Sequence, residues 1–322
     1  MSPVSVVEGG SPVVLAFPHS GTFVPDAVGK RLNSLGRELA DTDWHVDQLY
    51  AGLLPTATTV RANFHRYVID ANRDPAGGSL YPGQNTTGLI PHTTFDGEPI
   101  WNDALIAGRE DGDLLLPSPA GKGWGWGSEA DRPRVDAGVE PPPQPLPTGE
   151  GLHGFRSLQH GMNAAEIERR TAAWHAPYHA ALAAQLERVR KVHGVAVLFD
   201  CHSIRSQIPF LFSGELPDLN LGTNSGQSCA QVLHKAAQRH LAAATGYTHV
   251  VNGRFKGGWT TRHYGQPQNG VHAIQLELAQ RSYLAAEAAP FAYDPSQAQQ
   301  LRAVLGPLLA ELEHIALSGD LA

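Results

Sequence analysis

Two short, wholly apolar runs constrain this chain more than anything else in it. Pro12–Phe17 reads PVVLAF and Val195–Phe199 reads VAVLF. Neither run alternates polar with apolar residues. Runs of this length without alternation mark strands buried on both faces, which occur where helices cover both sides of a sheet. Helical spacing appears around them. Ile167, Trp174, Tyr178, Leu182, Leu186 and Val189 share one face across 163–193, Asn163 and Glu166 form a capping-box pattern, and Gly194 ends the run. Further helices are expected over 44–54, with Asp43 as N-cap and Pro55 beyond its end, and over 225–245, closed by Gly246. Asp294 and Pro295 open a last amphipathic helix. Val60, Tyr67–Ile69 and His272–Leu278 read as additional strands. Strands alternating with helices predict an α/β fold with a mixed central sheet flanked by helices.

One stretch breaks the alternation. Residues 117–151 hold eight prolines and seven glycines. Such a segment cannot bury a core, so the stretch from about 102 to 157 is expected to be a loop insertion within one domain spanning 1–322. Its two tryptophans, Trp124 and Trp126, suit either a lid or a surface excursion.

Charge narrows the partners. Lys and Arg total 24 against 31 Asp and Glu, a net charge of -7. Nucleic acid and anionic membrane surfaces both select basic patches, so neither is the expected partner. No apolar run approaches the roughly 18 residues that span a bilayer, and the first residues lack a signal-peptide pattern. Two cysteines, Cys201 and Cys229, are too few for a disulfide framework, which suits a cytoplasmic protein. Sixteen histidines in a chain with only 17% charged residues point to ligands or proton carriers.

The apolar runs lead directly to two of those histidines. PVVLAF runs into Pro18–Gly21 (PHSG) and VAVLF into Asp200–Ser203 (DCHS). In an open α/β sheet, ligands bind beyond the carboxyl ends of strands, so His19 and His202 are placed to converge as metal ligands. A catalytic zinc takes about three protein ligands and keeps one position open. Asp43 is the candidate third ligand, with Asp41 and His45 as alternatives. Glu277 lies between Leu276 and Leu278 on a strand, a costly place for a carboxylate without a task. It is the candidate general base, taking a proton from the attacking water and passing it to the leaving amine. Asn72 and Arg73 follow a strand and suit a carboxylate clamp. Arg205, and the loop carrying Arg254, Lys256, Arg262 and His263, add cations for an anionic small molecule. Cys201 precedes His202 on the same strand and should face away from the site.

These segments resemble the N-formylglutamate amidohydrolase (deformylase) family. The resemblance lies in PHSG at 18–21, DWHVDQLY at 43–50, HRYVIDANRDP at 65–75 and LYPGQNTTG at 80–88. It continues in PYH at 177–179, DCHS at 200–203, NLGT at 220–223, FKGG at 255–258 and QLEL at 275–278. The family is similar to zinc carboxypeptidases and aspartoacylases, so the resemblance implies a single-domain carboxypeptidase-like fold. It implies one divalent metal, zinc or another first-row ion, held by His19 and His202. It also implies Glu277 as acid and base, and Asn72 and Arg73 on a substrate carboxylate, with Arg262 or Arg205 on the other. The related peptidases carry a glutamate three residues after the first histidine. This chain has Thr22 there, which leaves the third ligand to Asp43 or its alternatives. The implied reaction is hydrolysis of N-formyl-L-glutamate to formate and L-glutamate in histidine degradation. A deacylase of another N-acyl amino acid, a small carboxypeptidase and a non-catalytic metal-binding protein are the alternatives.

Overall fold

The first apolar run forms a strand in which every side chain is buried: β2 spans Val13–Phe17. The second extends further than its apolar residues, because β4 runs Ala196–Ile204 and carries Asp200 and His202 on the strand itself. In this computed structural model the described residues are 1–78, 86–102 and 164–321. The Pro/Gly-rich stretch lies outside them from residue 103, so the expected insertion, with Trp124 and Trp126, is not described further.

Seven strands make one mixed sheet in the order β1-β3-β2-β4-β7-β5-β6. The others are β1 Val4–Val7, β3 Thr58–Ala62, β5 Leu219–Gly222, β6 His249–Val251 and β7 Val271–Ala279. The strands β3, β2, β4 and β7 run parallel, while β1 and β5 pair antiparallel to their neighbours β3 and β7. The chain steps from β2 outward to β3, then returns across β2 to β4. That reversal opens a crevice at the carboxyl ends of β2 and β4, where ligands bind in sheets of this kind.

Alternation decides what each face holds. Phe199 and Cys201 of β4, and Ile274, Leu276 and Leu278 of β7, join one core cluster. The helices α1 (Val46–Tyr50), α4 (Gln231–Ala243) and α6 (Pro295–Ser318) feed apolar side chains into the same cluster. Cys201 is thus core, as its strand position predicts, and burial pushes its thiol well above the ordinary range. The other face is crossed by the long helical segment after residue 163. It comprises α2 (Ala164–Arg170), a π-helical turn (Thr171–His175) and α3 (Ala176–His193), and α3 packs across β1 to β4. A fifth helix, α5 (Trp259–Tyr264), packs against β4 and β7. No helix among the described residues is long and apolar enough to cross a membrane.

Three local expectations change. The helix expected over 44–54 is confined to α1, and its N-cap is His45 in a left-handed conformation, φ 56°, not Asp43. Tyr67–Ile69 is a buried turn, not a strand. The helix expected over 225–245 starts only at Gln231.

Candidate active site

His19 leaves the end of β2 with its ring 3% exposed. Its Nε2 donates to Asp70 Oδ1 at 2.7 Å, which turns Nδ1 inward. Nδ1 has no hydrogen-bond partner among the described residues, though it is buried. His202 lies across from it, with ring centroids 5.1 Å apart. Asp43 Oδ2 sits between the two rings, 3.2 Å from His202 Nδ1 and 3.8 Å from His19 Nδ1. One donor atom from each of His19, Asp43 and His202 falls within 4.8 Å of the others, and among the described residues no other such cluster occurs.

This donor set fits a divalent cation. An unpartnered, buried imidazole nitrogen is costly unless something occupies its lone pair. A carboxylate also stands at the other ring nitrogen of each histidine: Asp70 hydrogen-bonds His19, and Asp200 Oδ1 lies within ion-pair distance of His202 Nε2, at 3.1 Å. That carboxylate–histidine arrangement orients metal-ligating imidazoles. The alternatives to Asp43 are engaged elsewhere. Asp41 Oδ2 accepts from Tyr67 Oη at 2.7 Å and from the Phe95 amide at 2.8 Å. His45 Nε2 donates to the Phe291 carbonyl at 3.0 Å.

Charge in the cluster follows from burial and pairing. Burial pushes the Asp43 carboxyl up, but Arg66, which ion-pairs with Oδ1, and the two histidines outweigh it and hold it below the usual range. Burial likewise raises Asp70, and His19 and Arg73 more than offset that. Burial, with Arg66, lowers His19 below its ordinary value, against the pull of Asp70 and Asp43. Burial would lower His202 too, yet the carboxylates of Asp200 and Asp43 raise it well above its ordinary value.

Glu277 faces this cluster from the neighbouring strand. In the β4–β7 register His202 pairs with Glu277 and Asp200 with Gln275. The four polar side chains share one face of the sheet while Cys201, Leu276 and Leu278 share the other. Burial lifts the Glu277 carboxyl to about 7, against the pull of His202. Gln275 donates to Glu277 Oε2 at 3.2 Å and accepts from the Gly258 amide at 2.6 Å.

Asn72 and Arg73 border the same cleft. Asn72 Nδ2 lies 3.2 Å from His202 Nε2, and its Oδ1 accepts from the Thr260 amide at 2.8 Å. A Cβ at Gly258 would fall 2.2 Å from Asn72 Nδ2, so only glycine allows this approach. Arg73 donates through Nε to the Thr87 carbonyl at 2.8 Å and through Nη2 to Thr87 Oγ1 at 3.0 Å. The cleft, open to solvent, is lined by His19, His202, Glu277, Asn72 and Arg73, with Arg66, Arg254, Phe255 and Leu211.

Against this geometry, comparison with known proteins is decisive. The profile of the N-formylglutamate amidohydrolase family matches residues 11–111 and 144–284. The chain belongs to that family. The two matched blocks flank the middle of the Pro/Gly-rich stretch. An N-formylglutamate deformylase of Pseudomonas aeruginosa is 39% identical over 310 residues, 96% of this chain and 95% of that protein. One of Pseudomonas putida matches to the same extent. The crystal structure of an N-formylglutamate amidohydrolase from Ralstonia eutropha superposes with a TM-score of 0.68 at 23% identity, over 99% of this chain and 100% of that one. At that identity the likeness speaks to the fold.

The fold brings His19, Asp43, His202, Glu277, Asn72 and Arg73 together in one place. It does not gather the two outer arginines expected from the sequence. Arg205 pairs with Asp96 at 2.6 Å, and Arg262 Nε donates to the Gly257 carbonyl at 2.9 Å; neither lines the cleft. Arg254, from the same glycine-rich loop as Arg262, does. Asp70, Asp200 and Gln275 were given no role from the sequence, and Arg66, read as a cation beside Asn72 and Arg73, instead pairs with Asp43. Asp200 was within reach of a sequence reading, since it shares a strand face with His202.

Proposed function

We propose that this chain hydrolyses the formamide bond of N-formyl-L-glutamate, giving formate and L-glutamate, as a zinc-dependent enzyme of histidine degradation. One observation carries the reading. A buried carboxylate, Glu277, adjoins three converging metal donors, and the cleft they open into is also lined by Arg73 and Arg254. Both Pseudomonas relatives are N-formylglutamate deformylases, which supports the same substrate.

His19, Asp43 and His202 would hold the cation. When bound, it supplies Lewis acidity that polarises the formyl carbonyl and acidifies water. Glu277 accepts a proton from the attacking water and delivers one to the departing nitrogen. The water oxygen first bonds to the formyl carbon as the carbonyl π bond opens, and the carbon–nitrogen bond breaks afterwards, once its nitrogen has received the proton, releasing formate. A carboxyl poised near neutrality suits both halves of that task. Asn72 and Arg73 hold one substrate carboxylate. Arg254, in place of Arg262 or Arg205, takes the other.

The test is formate release by the purified protein from N-formylglutamate, N-formylaspartate and N-acetylglutamate. N-formylglutamate should exceed the others in kcat/KM by about tenfold or more, which is about 1.4 kcal/mol. Equal or better turnover of another acyl amino acid would move the substrate assignment to that compound.

A further inference from the structure

The Asn72–Arg73 pair is held from behind by histidines that do not line the cleft. His179 Nε2 donates to the Ala71 carbonyl at 2.8 Å, and His175 Nε2 donates to the Arg73 carbonyl at 3.0 Å. These two acceptors bracket the Asn72–Arg73 dipeptide. Both rings are buried and lie against each other at a tilt of 42°, with centroids 4.3 Å apart. Tyr264 Oη lies 3.0 Å from His179 Nδ1, which fixes the ring from its far side.

The helix bends its geometry to make this grip. His175 ends the π-helical turn between α2 and α3, and His179 lies one turn further on. A π turn inserts a residue into the helical repeat and occurs frequently at functional sites. Residues four apart then share one face. Arg170, on the preceding run, donates to the Val68 carbonyl at 2.9 Å. One helical segment thus satisfies three carbonyls of the 67–73 turn, which has no strand partner to satisfy them. Burial lowers both histidines, His179 to about 3, so each is a neutral ring with a single N–H to give.

We propose that His175 and His179 are positioning residues: through their paired N–H bonds to the Ala71 and Arg73 carbonyls they set the Asn72 amide and the Arg73 guanidinium for the substrate carboxylate. The inference rests on the reading that Asn72 and Arg73 clamp that carboxylate. The clamp is therefore built by the helix on the far side of the 67–73 turn as well as by the cleft.

The experiment compares His175→Leu and His179→Leu, which remove the donor, with His175→Gln and His179→Gln, which keep an N–H near the same place. KM and kcat for N-formylglutamate are measured on metal-loaded protein, and the affinity for glutarate by calorimetry on chelator-treated protein. The leucine variants should raise KM and weaken glutarate binding by about tenfold, with kcat within about threefold of the parent. The glutamine variants should stay within about threefold of the parent in both. In an Arg73→Ala background, His179→Leu should add less than about twofold. Folded leucine variants with parental KM and glutarate affinity would overturn the proposal, as would the same loss with and without Arg73. If the leucine variants do not fold, Tyr264→Phe takes their place, and an unchanged KM and glutarate affinity there overturns it. Absent turnover of N-formylglutamate by the parent condemns the functional reading, while glutarate binding still decides this one. Unchanged glutarate affinity in Arg73→Ala removes the clamp, and this inference with it.

Discussion

His202 and Glu277 occupy the same level of adjacent parallel strands, partners in the β4–β7 register. An imidazole of the buried His19–Asp43–His202 cluster and a carboxylate raised to about 7 are thus set side by side by backbone hydrogen bonding rather than by loops. Glu277→Gln keeps the shape and removes the base. It should lower kcat by about 10²–10⁴-fold with little change in KM and with unchanged metal content. A base must be ionised to work, so parental kcat/KM falls as the pH drops through the Glu277 pKa. A bound dication pulls that pKa below its cation-free value of about 7, and the acid limb should lie at or under it. A Glu277→Gln enzyme with parental kcat would remove Glu277 from the chemistry.

The donor cluster makes a prediction that needs no turnover. His19→Ala and His202→Ala should each leave purified protein with less than about a tenth of the parental metal, read by elemental analysis. Asp70→Asn, which weakens the carboxylate behind His19, should cost about 10–100-fold in metal affinity. Asp200 and Asp43 raise His202 above its ordinary value, so uptake should release a proton and affinity should fall with falling pH. Full metal occupancy in either alanine variant would contradict the cluster.

Much of this was readable in the chain because strand alternation is a local property. LFDCH and IQLEL each put two polar side chains on one face and apolar ones on the other, so Asp200, His202, Gln275 and Glu277 had to share a surface once β4 and β7 paired. The apolar run Tyr67–Ile69 misled, because burial in a turn and burial in a strand look alike in sequence. Only the distant donors Arg170, His175 and His179 tell them apart. Asp43 read as a helix cap for the same reason. Its carboxylate serves Arg66 and the Ser203 amide, both far off in sequence. The short strands β1, β5 and β6 carry too few residues for periodicity to reveal.

Arg254 supplies the most direct test of substrate choice. If its guanidinium meets the second carboxylate, N-formylglutamine, which lacks that charge, should be the poorer substrate for the parent. Arg254→Gln should cut kcat/KM for N-formylglutamate by about 1.5–3 kcal/mol, the range for a charge-assisted hydrogen bond, and leave N-formylglutamine within about threefold. The parental preference between the two should largely vanish. A preference that survives the substitution assigns the second carboxylate to another group.

Asp41 allows a prediction about stability instead of catalysis. Burial is the main reason its carboxyl rises from an ordinary 3.8 to about 6, against the hydrogen bond from Tyr67 and the pull of Arg66. A carboxyl raised by folding contributes stability that is full below the unfolded value and is lost as the pH climbs through the folded one. Between about pH 4 and pH 7 the ionising Asp41 should therefore cost the folded state about 3 kcal/mol. Asp41→Asn keeps an acceptor for Tyr67 Oη and the Phe95 amide but cannot ionise. Any packing penalty of the new amide is the same at every pH. The difference in unfolding free energy, Asp41→Asn minus parent, should thus rise with pH across this window and flatten above it. Denaturant unfolding at pH 4, 5.5 and 7.5 measures it, and a flat or falling difference would show that Asp41 is ionised in the fold throughout.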